Sequence, residues 1–66
     1  MDIIVNGETR ALPAGVTAAR LIDLLDLGGK RLALEVNGEI VPRSTFGEHR
    51  LQDGDRVEIV RAVGGG

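Results

Sequence analysis

Arg56-Val57-Glu58-Ile59-Val60-Arg61-Ala62-Val63, near the end of a chain of 66 residues, decides how everything else is arranged. Side chains alternate along an extended segment, so Val57 and Ile59 fall on one face and Val60 and Ala62 on the other. A strand that is apolar on both faces belongs inside a sheet rather than at its edge. The first apolar run, Ile3-Ile4-Val5, is one neighbour for it. Pairing the two in parallel needs a long crossover, and residues 8–55 supply one.

The crossover reads in order. Asn6-Gly7 is a hairpin signal, because a type I′ turn needs positive φ at both central positions. Residues 8–12 return as a weakly polar strand at or near an edge, and Pro13-Ala14-Gly15 ends it. Thr17 then caps a single helix through its hydroxyl. Ala18, Leu21, Ile22 and Leu25 recur at helical spacing and form its apolar face. Val16 staples the entry, and Arg20, Asp23 and Asp26 fall on the wet side. Gly28-Gly29 is the expected stop. Lys30 and Arg31 are expected just past the helix end, where positive charge suits the dipole.

From Leu32 the pattern changes to strict alternation. Leu32, Leu34 and Val36 face one way and Ala33, Glu35 and Asn37 the other, which is a half-buried strand. Asn37-Gly38 turns it into a short return strand, Glu39-Ile40-Val41. Pro42 stops that strand and marks it as an edge, since proline cannot donate to a ladder. Residues 43–52 read as irregular with room for one helical turn, and Phe46 and Leu51 plug the core. Asp53-Gly54-Asp55 is a turn into the last strand. One helix covers only one sheet face. The predicted fold is an α+β roll: a mixed sheet of about five strands with one helix packed across one face. Its domain spans residues 1–63, followed by a flexible glycine tail, 64–66.

Composition narrows the function. The chain is 42% apolar and 27% charged, which is ordinary for a globular domain and argues against disorder. It has no cysteine, hence no disulfide, thiolate nucleophile or Cys-based zinc site. The eight Lys and Arg residues are scattered, the net charge is -2 and Phe46 is the sole aromatic. A nucleic-acid surface would want a basic stripe or stacking aromatics, so that class ranks low. The first residues lack the basic and long apolar regions of a signal peptide. No apolar run approaches the ~20 residues that cross a membrane. No membrane partner is expected, and the cytoplasm is the expected location.

No catalytic set stands out. His49 is the only histidine, and a lone loop histidine reads as a surface or capping residue. Ser44 and Thr45 lie near it, yet a triad needs three roles to converge in a pocket. Asp53 and Asp55 flank Gly54 without the further oxygen ligands of a calcium loop. Gly28-Gly29 lacks the Gly-Lys-Ser/Thr continuation of a phosphate loop. A domain of this size also has little room for a pocket of a few hundred Å³. The expectation is a non-enzyme with no bound cofactor or metal, acting through its surface and its tail.

That tail is Gly64-Gly65-Gly66, expected to be the C-terminus. Glycine reaches backbone conformations closed to other residues and lets another backbone come close. A thread of this kind can carry a carboxylate into a narrow enzyme channel; an idle, frayed end would have the same composition.

Several segments together carry a resemblance. They are Val5-Asn6-Gly7; Val36-Asn37-Gly38-Glu39-Ile40-Val41-Pro42-Arg43; and Leu51 to Val60, with Gln52-Asp53-Gly54-Asp55 at its start, running on into Val63-Gly64-Gly65-Gly66. As a set they resemble the ThiS family, the small sulfur carriers of thiamine biosynthesis, over almost the whole chain. The resemblance implies the β-grasp fold shared with ubiquitin. It also implies a reaction at the tail. A ThiF-type adenylyltransferase, using ATP and Mg²⁺, joins AMP to the Gly66 carboxylate. Sulfur from a donor such as a cysteine desulfurase converts it to a thiocarboxylate, and thiazole synthase (ThiG type) receives the sulfur. Gly66 is then the attachment point, Gly64 and Gly65 thread into the activating enzyme, and Gly64 acts as spacer. Val60 and Ala62, beside the tail, are candidate docking residues, or else lie under a loop. Family members often carry a bulkier aromatic near Phe46, a packing difference only. Two relatives of the same chemistry stay open: the molybdopterin-synthase type of sulfur carrier, and a ubiquitin-like modifier conjugated through Gly66. A plain interaction module with an idle tail is the remaining reading.

Overall fold

The computed structural model describes residues 1–61. Its elements are β1 (Asp2–Val5), β2 (Glu8–Ala11), α1 (Ala18–Leu24), β3 (Leu32–Val36), β4 (Glu39–Val41), a 3₁₀ turn at Arg43–Thr45, and β5 (Arg56–Arg61). They build a five-stranded sheet in the order β2-β1-β5-β3-β4. The strand read as central is central. β5 runs parallel to β1, with Ile4 opposite Arg56 and Val5 opposite Val57. It runs antiparallel to β3, from Val36 opposite Val57 to Leu32 opposite Arg61.

Both hairpins turn where asparagine and glycine tolerate positive φ. Asn6 and Gly7 sit at 49° and 83°, Asn37 and Gly38 at 52° and 84°. That pair of values is the type I′ turn whose twist matches the flanking strands. β2 is exposed throughout and lies at one edge; β4, ended by Pro42, lies at the other.

α1 lays Ala18, Leu21 and Ile22 over one sheet face. Ile3, Leu21, Leu34 and Val57 are the largest side chains lost entirely from solvent, and they join β1, α1, β3 and β5 in one cluster. Burying an aliphatic side chain of this size is worth about 1.5–3 kcal/mol. Leu51 is buried with them, and Phe46 packs against the cluster from its margin.

The helix starts as expected and stops earlier. The Arg20 N–H donates to Thr17 Oγ1 at 3.2 Å. Two further amides of the first turn, Ala18 and Ala19, donate to the carbonyls of His49 (2.9 Å) and Phe46 (3.0 Å). The 43–52 loop therefore satisfies donors that a helix N-terminus leaves orphaned. At the other end Asp26, not Gly28, takes the left-handed position, with φ 59°. The Asp26 N–H donates to Asp23 O (3.0 Å) and the Leu27 N–H to Ile22 O (2.9 Å), the two bonds of a Schellman cap. Leu27 closes the motif by packing on the core. Gly29, φ 80°, serves the next turn, and no basic residue lies in the last turn of α1. The expected Gly28-Gly29 stop and the charge of Lys30 and Arg31 at the helix end are corrected accordingly.

Candidate functional site

The end of β5 is where the sequence and the fold both direct attention. β3 pairs with β5 as far as Arg61, placing Ala33 beside Val60 and Leu32 beside Arg61. Val57 and Ile59 face α1 and are buried. Val60 faces the other way and is 59% exposed, so no described residue covers it. Ala62, Gly64, Gly65 and Gly66 lie outside the described residues.

The sheet face away from α1 is mixed in character. In register across it run Ile40, Glu35 and Glu58. Ile40, 74% exposed, is the most exposed of the large apolar side chains named on this surface. Val60 and Ala33 form a second apolar spot one step toward the end of β5. Glu58 beside it is an exposed charge, and Arg61, on the other face by alternation, is exposed as well.

Two contacts at β5 were not legible beforehand. The Asn6 side chain bonds both backbone groups of Ile59: Ile59 N–H donates to Asn6 Oδ1 at 2.8 Å, and Asn6 Nδ2 donates to Ile59 O at 3.2 Å. The Asn6 N–H also donates to Val57 O at 2.9 Å. β1 has ended at Val5, so the carboxamide continues the parallel ladder in place of a further strand residue. Asn37 does the equivalent at the opposite end of β5. Its Oδ1 accepts from Arg56 N–H at 2.9 Å and its Nδ2 donates to Asp55 Oδ1 at 3.0 Å. The sequence marks both asparagines as turn formers, and spacing says nothing of where such a side chain reaches.

Grooves exist despite the small size, in contrast to the expectation from chain length. One, about 540 Å³, is an open depression bordered by Ile40, Pro42, His49 and Arg50. Thr45 and Asp55 also line it, but their polar atoms serve the fold. Thr45 Oγ1 donates to Pro42 O (2.8 Å), while Asp55 accepts from Asn37 and from Gln52 N–H (2.8 Å). No hydrogen-bonded relay joins Thr45, His49 and Asp55 among the described residues. Nor, among those residues, do three His, Cys, Asp or Glu side chains converge as a metal site would require. No helix of the described residues is long and apolar enough to cross a membrane.

Comparison with known proteins agrees with this geometry. The ThiS family profile matches residues 3–66. The sulfur carrier protein ThiS of Escherichia coli is 35% identical over all 66 residues, and the chain covers that protein completely. A thiazole synthase of Paramagnetospirillum magneticum is 39% identical over the same 66 residues, but the chain spans only 20% of its length. Among solved structures, the crystal structure of the thiamine biosynthesis protein ThiS from Geobacter metallireducens superposes with a TM-score of 0.86 at 29% identity, with both chains fully covered. The five-stranded mixed sheet with one helix across it is the β-grasp fold.

Proposed function

The chain belongs to the ThiS family, and from that premise we propose that it is a sulfur carrier of thiamine biosynthesis whose working group is the Gly66 carboxylate. The observation that carries this reading is the reach of the family match, which runs through Gly64-Gly65-Gly66 to residue 66. The strand leading toward those residues is paired with β1 at its start and with β3 as far as Arg61, which makes it a base for a reactive end.

A carboxylate resists nucleophilic attack because of its charge. Activation removes that charge. A Gly66 carboxylate oxygen attacks the α-phosphorus of ATP, an O–P bond forms and pyrophosphate leaves. Sulfur then adds at the carbonyl carbon, a C–S bond forms, and AMP departs with the C–O electron pair. Sulfur delivered as a persulfide by a cysteine desulfurase arrives one two-electron step too oxidised, and a thiol reductant supplies the two electrons. The product is a thiocarboxylate on Gly66. ATP and Mg²⁺ are bound by the ThiF-type adenylyltransferase; the carrier contributes recognition and a reachable end. Val60, with Ala62 beyond it, docks the activating enzyme, and the cytoplasm is the site of the chemistry.

Thiazole synthase is the proposed acceptor. The thiazole synthase of Paramagnetospirillum magneticum contains a stretch similar to this whole chain. Joining a carrier to its acceptor raises their effective concentration, which has value only when the two meet.

The test is to incubate the protein with a ThiF-type adenylyltransferase, ATP and a sulfur source and to weigh it intact. Exchange of one oxygen for sulfur supports the carrier reading. A covalent adduct with other proteins would replace it with a ubiquitin-like modifier, and an unchanged mass would leave the tail idle. Transfer to thiazole synthase rather than to a molybdopterin-synthase large subunit separates the two carrier pathways.

A further inference from the structure

We infer that Asn6 is a positioning residue for activation of the carrier's end, acting through Ile59. The inference rests on the reading of Gly66 as the activated group and assigns a new role to a residue 53 positions away in sequence from Ile59, which it holds.

The two edges of β5 are held differently. On the β3 side, backbone pairing continues to Arg61. On the β1 side it stops at Val57, because β1 ends and the chain turns back through Asn6-Gly7. Beyond Val57 the described bonds on that edge are the two made by the Asn6 carboxamide to Ile59. They are arranged as a peptide group would arrange them, one donor and one acceptor to the same residue. Without them β5 would be held from one side only over its last residues, and a strand held on one edge can swing about that edge. Ile59 is two residues from Arg61, where the described strand ends. Its position therefore sets the point and the direction from which the chain continues toward Gly66. Orientation of a reacting group is costly to lose: a misplacement of about 1 Å can lower a rate on the order of a hundredfold.

The molecule contains its own control. Asn37 occupies the same turn position in the other hairpin, has nearly the same φ, and also bonds β5 through its side chain. It holds Arg56, at the end of β5 remote from Gly66. Changing either asparagine to glycine keeps the positive φ without strain and deletes the side-chain bonds, with a similar unfolded-chain entropy cost in both. A purely structural role predicts that either change lowers the rate only as far as it lowers stability. A positioning role predicts that only one of them affects the reaction.

The experiment compares wild type, Asn6→Gly, Asn37→Gly and Asn6→Asp. Pyrophosphate release by a ThiF-type adenylyltransferase with ATP is followed at a temperature where all four are folded. Docking is left intact, so Asn6→Gly is expected to lower kcat about tenfold with the KM for the carrier nearly unchanged. Asn37→Gly is expected to leave both constants at the wild-type level. Asn6→Asp retains the acceptor for Ile59 N–H but sets a carboxylate oxygen against Ile59 O, so its kcat should fall at least as far as that of Asn6→Gly. Amide exchange should quicken at Ile59 in Asn6→Gly and at Arg56 in Asn37→Gly. Wild-type kcat in Asn6→Gly, or an equal loss in the two glycine variants, overturns the positioning role and leaves the carrier reading standing. A wild-type protein that releases no pyrophosphate overturns the carrier reading, and the positioning role with it. If Asn6→Gly lacks a melting transition, the Asn6→Asp variant carries the same comparison against Asn37→Gly.

Discussion

Glu35 on β3 and Glu58 on β5 stand directly opposite each other on the sheet face away from α1. Like charges paired across a ladder destabilise it, and opposite charges there contribute about 0.2–1 kcal/mol. Glu58→Lys is therefore expected to raise the midpoint of urea unfolding, with an unchanged slope. The gain should shrink in high salt, since exposed charges are screened. Equal gains at low and high ionic strength would locate the cause elsewhere than in charge.

Val60 and Val57 lie three residues apart on β5 and face opposite sides of the sheet. Val60 is 59% exposed and Val57 is fully buried. Val60→Asp removes little buried surface, so its cost to stability should stay within about 1 kcal/mol, the span of strand propensity. Binding to the activating enzyme should weaken by about tenfold or more if Val60 docks it, because an interface core does not accept an unpaired carboxylate. Leu34→Ala, at a site with no exposure, should instead cost about 2–5 kcal/mol. Isothermal titration for binding and thermal melting for stability separate the two effects. Wild-type affinity in Val60→Asp would remove Val60 from the docking surface.

Asp26 closes α1 at φ 59°, a conformation that glycine adopts without strain and that other residues adopt at a cost. It also places a carboxylate at the negative end of the helix dipole. Asp26→Gly should stabilise the protein by about 0.5–1 kcal/mol, and Asp26→Val should destabilise it by more than that. Denaturant midpoints for the two variants check the sign of each change. A loss of stability in Asp26→Gly would mean that the Asp26 side chain contributes more than its backbone conformation costs.

Helix C-termini were the least legible part of the fold for this reason. Gly28-Gly29 is the better glycine signal, yet Asp26 takes the cap, because burial of Ile22 and packing of Leu27 set where the last turn must close. Tertiary packing outweighed the local preference. The strand order was legible because residues 56–63 are apolar on both faces and because two Asn-Gly turns have few alternatives. The carboxamide bonds of Asn6 and Asn37 were not, since a turn residue's identity reports its φ and says nothing of its distant partner. Alternation placed Val60 on the face away from the core once Val57 and Ile59 were assigned to it, but whether a loop covers that face was not legible; the fold shows Val60 exposed. Ile40 was placed on an edge strand, but its exposure depends on nothing in the described fold crossing that face, which spacing alone does not reveal.

Gly65→Ala tests the chemistry at the end of the chain, at a position outside the described residues. A methyl group closes most of the positive-φ backbone space open to glycine and widens the thread that must enter the activating enzyme. The substitution lies beyond β5 and the core, so the melting temperature should match wild type. Thiocarboxylate on Gly66 should become undetectable by intact mass after incubation with adenylyltransferase, ATP and a sulfur source. Pyrophosphate release should fall in parallel, because the block precedes sulfur addition. Normal pyrophosphate release with absent sulfur would move the requirement for Gly65 from activation to the sulfur-transfer step. Normal sulfur loading would show that the channel accepts a side chain one residue before the reacting carboxylate.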